Sequence, residues 1–107
     1  MLYYKDWALV IPMANEEADF KPFIEMIDLV INELNPGNVY FVVDNASKDR
    51  TLELCQEQSK KDSRYVTVWA PENKNVVDAY IRGLRTAYEA GHELIIEMDA
   101  GLSHDPR

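Results

Sequence analysis

The chain has 107 residues and a formal net charge of −8, from 11 Lys+Arg against 19 Asp+Glu, which argues against nucleic acid or an anionic membrane as its main partner. Apolar residues at 47% and charged residues at 28% exclude a disordered chain and fit one globular domain. A single cysteine excludes an internal disulfide, no Cys/His cluster has zinc spacing, and no apolar run is long enough to anchor the chain in a membrane. The opening Met1-Leu2-Tyr3-Tyr4-Lys5-Asp6 lacks the layout of a signal peptide, so a reduced, cytoplasmic setting is expected.

In chain order, Ala8-Leu9-Val10-Ile11 is a short apolar run that reads as a strand stopping at Pro12. Phe20, Phe23, Ile24, Ile27, Val30, Ile31 and Leu34 follow at helical spacing and predict one apolar stripe. Pro22 is tolerable in the first turn of that helix, and Asn35-Pro36-Gly37 is expected to end it. Val39-Tyr40-Phe41-Val42-Val43 reads as a second strand closing at Asp44. A helix over about 49–61 has only Leu52, Leu54 and Cys55 for an apolar face, with Ser47 as the expected cap. Cys55 then reads as a small core residue. Tyr65-Val66-Thr67-Val68-Trp69 is the third strand. Val77, Tyr80, Ile81, Leu84, Ala87 and Tyr88 predict a third helix, capped by Gly91. Leu94-Ile95-Ile96 leads through Glu97-Met98 to Asp99 as the fourth strand. Runs this short and this apolar suit strands buried on both faces, and their alternation with helices predicts a mostly parallel α/β sheet.

In such a sheet, ligands bind beyond the carboxyl ends of the strands. Those ends carry Asn15-Glu16-Glu17, Asp44-Asn45-Ala46-Ser47, Glu72-Asn73-Lys74-Asn75 and Asp99-Ala100-Gly101-Leu102-Ser103-His104-Asp105. Turns favour such residues anyway, but Asp44 and Asp99 close otherwise buried strands, where an unpaired carboxylate is costly. A bare phosphate is repelled from this much negative charge, by about 1 kcal/mol per pair of charges at about 4 Å even in water. A neutral or cationic ligand, or a divalent metal bridging acid and phosphate, fits the edge instead. No dinucleotide glycine fingerprint, P-loop or nucleophile elbow is present.

Four blocks resemble, in order, the N-terminal half of the inverting GT-A-fold family 2 glycosyltransferases that include dolichyl-phosphate mannose synthase. Ile11-Pro12-Met13-Ala14-Asn15-Glu16-Glu17 is similar to I-P-A-Y-N-E-E. Val42-Val43-Asp44-Asn45-Ala46-Ser47-Lys48-Asp49-Arg50-Thr51 is similar to V-V-D-D-G-S-x-D-G-T. Asn73, Ala79 and Gly83 keep the spacing of N-x-G-x-x-x-A-x-x-x-G. Glu97-Met98-Asp99-Ala100-Gly101-Leu102-Ser103-His104-Asp105-Pro106 is similar to the metal-binding D-A-D-L-S-H-D-P stretch.

The resemblance implies a Rossmann-like, GT-A type sheet of about four strands and three helices, incomplete relative to the full fold. It implies a nucleotide-diphospho-sugar donor, with Pro12, Asn15 and Glu16 shaping the nucleotide pocket. Asp44, with Asn45 beside it, would hydrogen-bond the base. Asp99 would meet the diphosphate through Mg²⁺ or Mn²⁺, which would stabilise the leaving group; the other role open to it is that of a structural strand-end acid. Three positions depart from the family pattern: Ala14 replaces Tyr, Asn75 stands where Gly is usual, and Gly101 replaces the second Asp of D-x-D.

The acceptor site and catalytic base of that family lie beyond the residue corresponding to Arg107, so no residue here is assigned as general base. The chain alone is expected to lack transfer activity. The fourth strand is expected to present an unpaired edge and to drive self-association into a homo-oligomer. Two other readings stand beside this one. A non-catalytic nucleotide-binding or interaction module is favoured by Gly101, and a receiver-like phosphoacceptor at Asp44 is disfavoured because no fifth strand supplies its lysine.

Overall fold

The computed structural model describes residues 7–14, 16–33, 37–43, 49–71, 76–92 and 94–98. They form strand β1 (Trp7–Met13), a 3-10 turn (Glu17–Asp19), helix α1 (Phe20–Ile31), β2 (Gly37–Val43), α2 (Thr51–Lys61), β3 (Tyr65–Trp69), α3 (Val76–Glu89) and β4 (Leu94–Glu97). All pairings are parallel, in the order β3-β2-β1-β4. The fold is the expected Rossmann-like α/β sheet, with helices on both faces.

Period-two alternation divides the core in two. Trp7, Ile11, Met13, Val39, Phe41, Val43 and Tyr65 point to the face covered by α1 and α2, where they meet Phe20, Phe23, Ile24, Ile27, Ile31 and Cys55. Ala8, Val10, Tyr40 and Val42 point to the opposite face, where they meet Ala79 and Ala87 of α3. Only the central strands β1 and β2 are buried almost throughout; β3 and β4, at the two sides of the described sheet, are partly open, contrary to the expectation of four fully buried strands.

Three boundaries differ from the sequence reading. Pro12 does not end the first strand but lies inside β1, opposite Val42. Its missing N–H is harmless because it falls on the β4 side, where the paired residues of β4 end with Glu97 against Val10. Helix α1 ends at Ile31, before Asn35-Pro36-Gly37, with the Asn32 amide donating to the Asp28 carbonyl at 3.0 Å. Gly37 instead opens β2 against Trp7, where an added Cβ would lie 2.2 Å from the indole. Val30, placed on the buried stripe by its spacing, is exposed, and Leu34 lies outside the described residues.

The third helix buries only part of its predicted stripe: Ala87 is buried and Tyr80 and Leu84 are half-buried, but the helix is turned toward its small residues. Ala79, Gly83 and Ala87 are buried, while Val77, Ile81 and Tyr88 stand 59%, 50% and 77% exposed. The cause is close approach: a Cβ on Gly83 would lie 2.2 Å from Val10 Cγ1 and 3.0 Å from Val42 Cγ2. Only small residues fit there, so helix rotation follows the small stripe and not the large one. Gly91, at φ +88°, follows α3 in the left-handed conformation that suits its expected capping role.

Candidate functional site

The strand order places a topological switch between β1 and β4: the chain builds outward from β1 to β3, then returns across the other face to β4 on the far side of β1. Crevices at such points, outside the carboxyl ends of the strands, are where ligands bind in open α/β sheets. Here β1, β2 and β3 end level, with Met13 opposite Val43 and Val43 opposite Trp69. The Ala70 amide adds one more bond to the Val43 carbonyl at 2.8 Å, and the Met98 amide donates to the Val10 carbonyl at 3.0 Å.

The turn that follows β1 is tied to the start of α2. The Glu16 amide donates to Thr51 Oγ1 at 2.8 Å, and the Glu17 amide donates to Asp49 Oδ2 at 3.1 Å. In return, the Arg50 amide donates to Glu17 Oε1 at 3.4 Å. Thr51 also donates its own amide to Asp49 Oδ1 at 3.0 Å, and its hydroxyl donates to the same oxygen. The carboxylate near the helix start is therefore that of Asp49; Ser47, the expected cap, lies outside the described residues. Thr51 is wholly buried, the one buried polar side chain among the described residues. The neighbouring Arg50 guanidinium pairs with Glu53 at 2.6 Å, an exposed pair that contributes little to stability.

Cys55 sits one turn further along α2 and is fully buried, as its reading as a core residue requires. Burial pushes its thiol far above the ordinary range, and the negative charge of Glu16 adds to the effect. A thiol held neutral and enclosed is a packing group, not a nucleophile.

Of the nominated residues, Pro12 and Glu16 are brought to the carboxyl edge beside the switch point, both half-buried. Asn15, Asp44, Asn45 and Asp99 lie outside the described residues, as do the departures Asn75 and Gly101. Among the described residues, no three Asp, Glu, His or Cys side chains gather as a metal ligand set. Sequence reasoning missed the part played by Asp49 and Thr51. The signal was present, since an Asp two residues before the first residue of a helix can receive that residue's amide in an Asx turn, but Ser47 competed as the expected cap. A shallow depression lined by Gln56, Ser59, Lys60, Tyr65, Val66 and Thr67 lies along α2 and β3, away from this edge, with Ser59 and Thr67 hydroxyls 2.7 Å apart.

A doubly wound parallel sheet with a polar turn fixed at its switch point defines the Rossmann-like class. Within it, the chain belongs to glycosyl transferase family 2, whose sequence pattern matches residues 8–107. It is 35% identical over 99 residues to the dolichol-phosphate mannosyltransferase of Pyrococcus furiosus, covering 92% of this chain and 26% of that protein. It is 31% identical over 100 residues to the undecaprenyl-phosphate mannosyltransferase of Micrococcus luteus, covering 91% and 38%. With the UDP-N-acetylglucosamine–dolichyl-phosphate N-acetylglucosaminyltransferase of Methanococcus voltae the identity is 32% over 112 residues, covering 92% and 42%. The chain thus spans between about a quarter and two-fifths of the length of these relatives.

Proposed function

We propose that this chain supplies the donor-binding part of a glycosyltransferase that passes a sugar from a nucleotide-diphospho-sugar to a polyprenyl phosphate. The observation that carries the reading is the Glu16–Glu17 turn held at the carboxyl edge, beside the switch between β1 and β4. The relatives named for dolichol-phosphate and undecaprenyl-phosphate transfer support that acceptor class. In this reading Pro12, Asn15 and Glu16 form one wall of the nucleotide pocket, and Asp44 with Asn45 accepts and donates hydrogen bonds at the base. Asp99 would hold Mg²⁺ or Mn²⁺, which when bound would stabilise the departing nucleoside diphosphate.

We expect the 107 residues assayed on their own to bind donor without transferring its sugar. We place the chain in the cytoplasm and expect copies to associate through β4. Among the described residues β4 pairs with β1 alone, and its Ile96 is half exposed. Sedimentation showing a monomer at every concentration would refute that association.

Calorimetric titration of UDP and GDP, with and without Mn²⁺, tests the donor reading on wild type and Asp99→Ala. Metal-dependent binding abolished by the substitution is expected, and the preferred nucleotide identifies the base. Absence of binding by the folded chain would overturn the reading in favour of a non-catalytic interaction module, which Gly101 in place of the second Asp already favours.

A further inference from the structure

Building on that donor site, we infer that Asp49 and Thr51 are its positioning residues: they hold the backbone of Glu16 and Glu17 in the place from which the turn meets the nucleotide. Two consecutive amides of the turn are received by two side chains that lie 32 and 35 positions later in the chain. The Thr51 hydroxyl is used in both senses, accepting from the Glu16 amide and donating to Asp49. Asp49 accepts from the Glu17 amide, the Thr51 amide and the Thr51 hydroxyl. The Arg50 amide closes the circuit on the Glu17 carboxylate.

The clamp is anchored because Thr51 and Cys55, one turn apart on α2, are both fully buried. The turn therefore takes its position from α2 as well as from β1. Packing alone does not require a hydroxyl at position 51, since valine fills the same volume. What the hydroxyl adds is direction, because a hydrogen bond weakens steeply away from its preferred geometry and an apolar contact does not. Removing it leaves a half-buried amide without its acceptor.

The test compares Thr51→Val, which keeps the shape, with Thr51→Ser, which keeps the hydroxyl, and adds Asp49→Asn at an exposed position. Amide hydrogen exchange of Glu16 and Glu17 is followed by NMR in the ligand-free chain, and UDP and GDP are titrated with Mn²⁺. Thr51→Val is expected to accelerate exchange at Glu16 by about tenfold or more while amides of β1 and β2 keep their protection. It is expected to weaken nucleotide binding by about tenfold, with both effects restored in Thr51→Ser. Asp49→Asn is expected to accelerate exchange at Glu17 and to weaken binding in the same direction, so the inference stays testable should Thr51→Val fail to fold.

Equal losses in Thr51→Ser and Thr51→Val would overturn the inference, because they would reduce the residue to a packing role. Faster exchange with unchanged affinity would overturn the link to the donor. A wild-type chain that binds neither nucleotide would refute the donor reading alone, with exchange at Glu16 and Glu17 still deciding whether the clamp exists.

Discussion

The two faces of the sheet solve the same packing problem with opposite materials. Beneath α1 and α2 the core is built from large side chains, with Phe41 stacked on Tyr65 at 5.4 Å and tilted against Phe20 at 6.0 Å. Beneath α3 the helix contributes buried alanines and a glycine, and it closes directly onto Val10 and Val42 of the sheet. The first face gains stability through area removed from water, the second through close approach. The same methyl group therefore has opposite effects: deleting carbon should harm the first face, and adding carbon should harm the second.

Phe23→Ala should show the largest effect, since Phe23 is 1% exposed and its loss leaves a cavity worth about 3–5 kcal/mol. Chemical denaturation measures it, and a loss below about 1 kcal/mol would mean that this face re-collapses as freely as a loosely packed one. Gly83→Ala should cost about 1–3 kcal/mol through overpacking against Val10, despite the better helix propensity of alanine. An unchanged or raised melting temperature would erase the contrast between the faces.

Tyr65→Phe sharpens the comparison at the lower rim of the large-residue face. The Tyr65 hydroxyl donates to Asp28 at 2.5 Å, linking β3 to α1, and its removal should cost about 1 kcal/mol or somewhat more because the acceptor is charged. A double-mutant cycle with Asp28→Asn should then show coupling between the two positions.

Asp62→Asn should have the smallest effect, less than about 1 kcal/mol, because solvent screens the pair with Arg64. The Arg64 guanidinium holds the Asp62 carboxyl below the usual carboxylate range, outweighing the opposing cost of burial. A carboxyl lowered in the folded state stabilises the fold above its ordinary range and loses that contribution as pH falls through the lowered value. The difference between wild type and Asp62→Asn, measured by denaturation, should therefore be present at neutral pH and vanish under strong acid. A difference that widened on acidification would contradict the pairing.

Some of these features were legible without coordinates. Phe20, Phe23, Ile24 and Ile27 formed the buried stripe their spacing announced, because large apolar residues dominate where helix and sheet stand apart. Cys55 was legible as core for the same reason. Val77, Ile81 and Tyr88 misled because the rule that the larger apolar stripe faces inward fails when the backbones approach closely. Gly83 and Ala79 carry that information, in the same spacing that marks the family motif. At the site, Pro12 and Glu16 came to the expected edge, whereas the roles of Asp49 and Thr51 depended on partners more than thirty positions away.

The sequence by itself determined the order of strands and helices and the family, because periodicity, turn chemistry and motif spacing are local properties of a chain. The tertiary structure decided the rotation of α3, the place of Pro12 within a strand and the fastening of the β1 turn to α2. Each of these depends on the distance between segments remote in sequence: a glycine's missing methyl matters only when Val10 is behind it, and a threonine hydroxyl becomes a clamp only when an amide from another element arrives within hydrogen-bond reach.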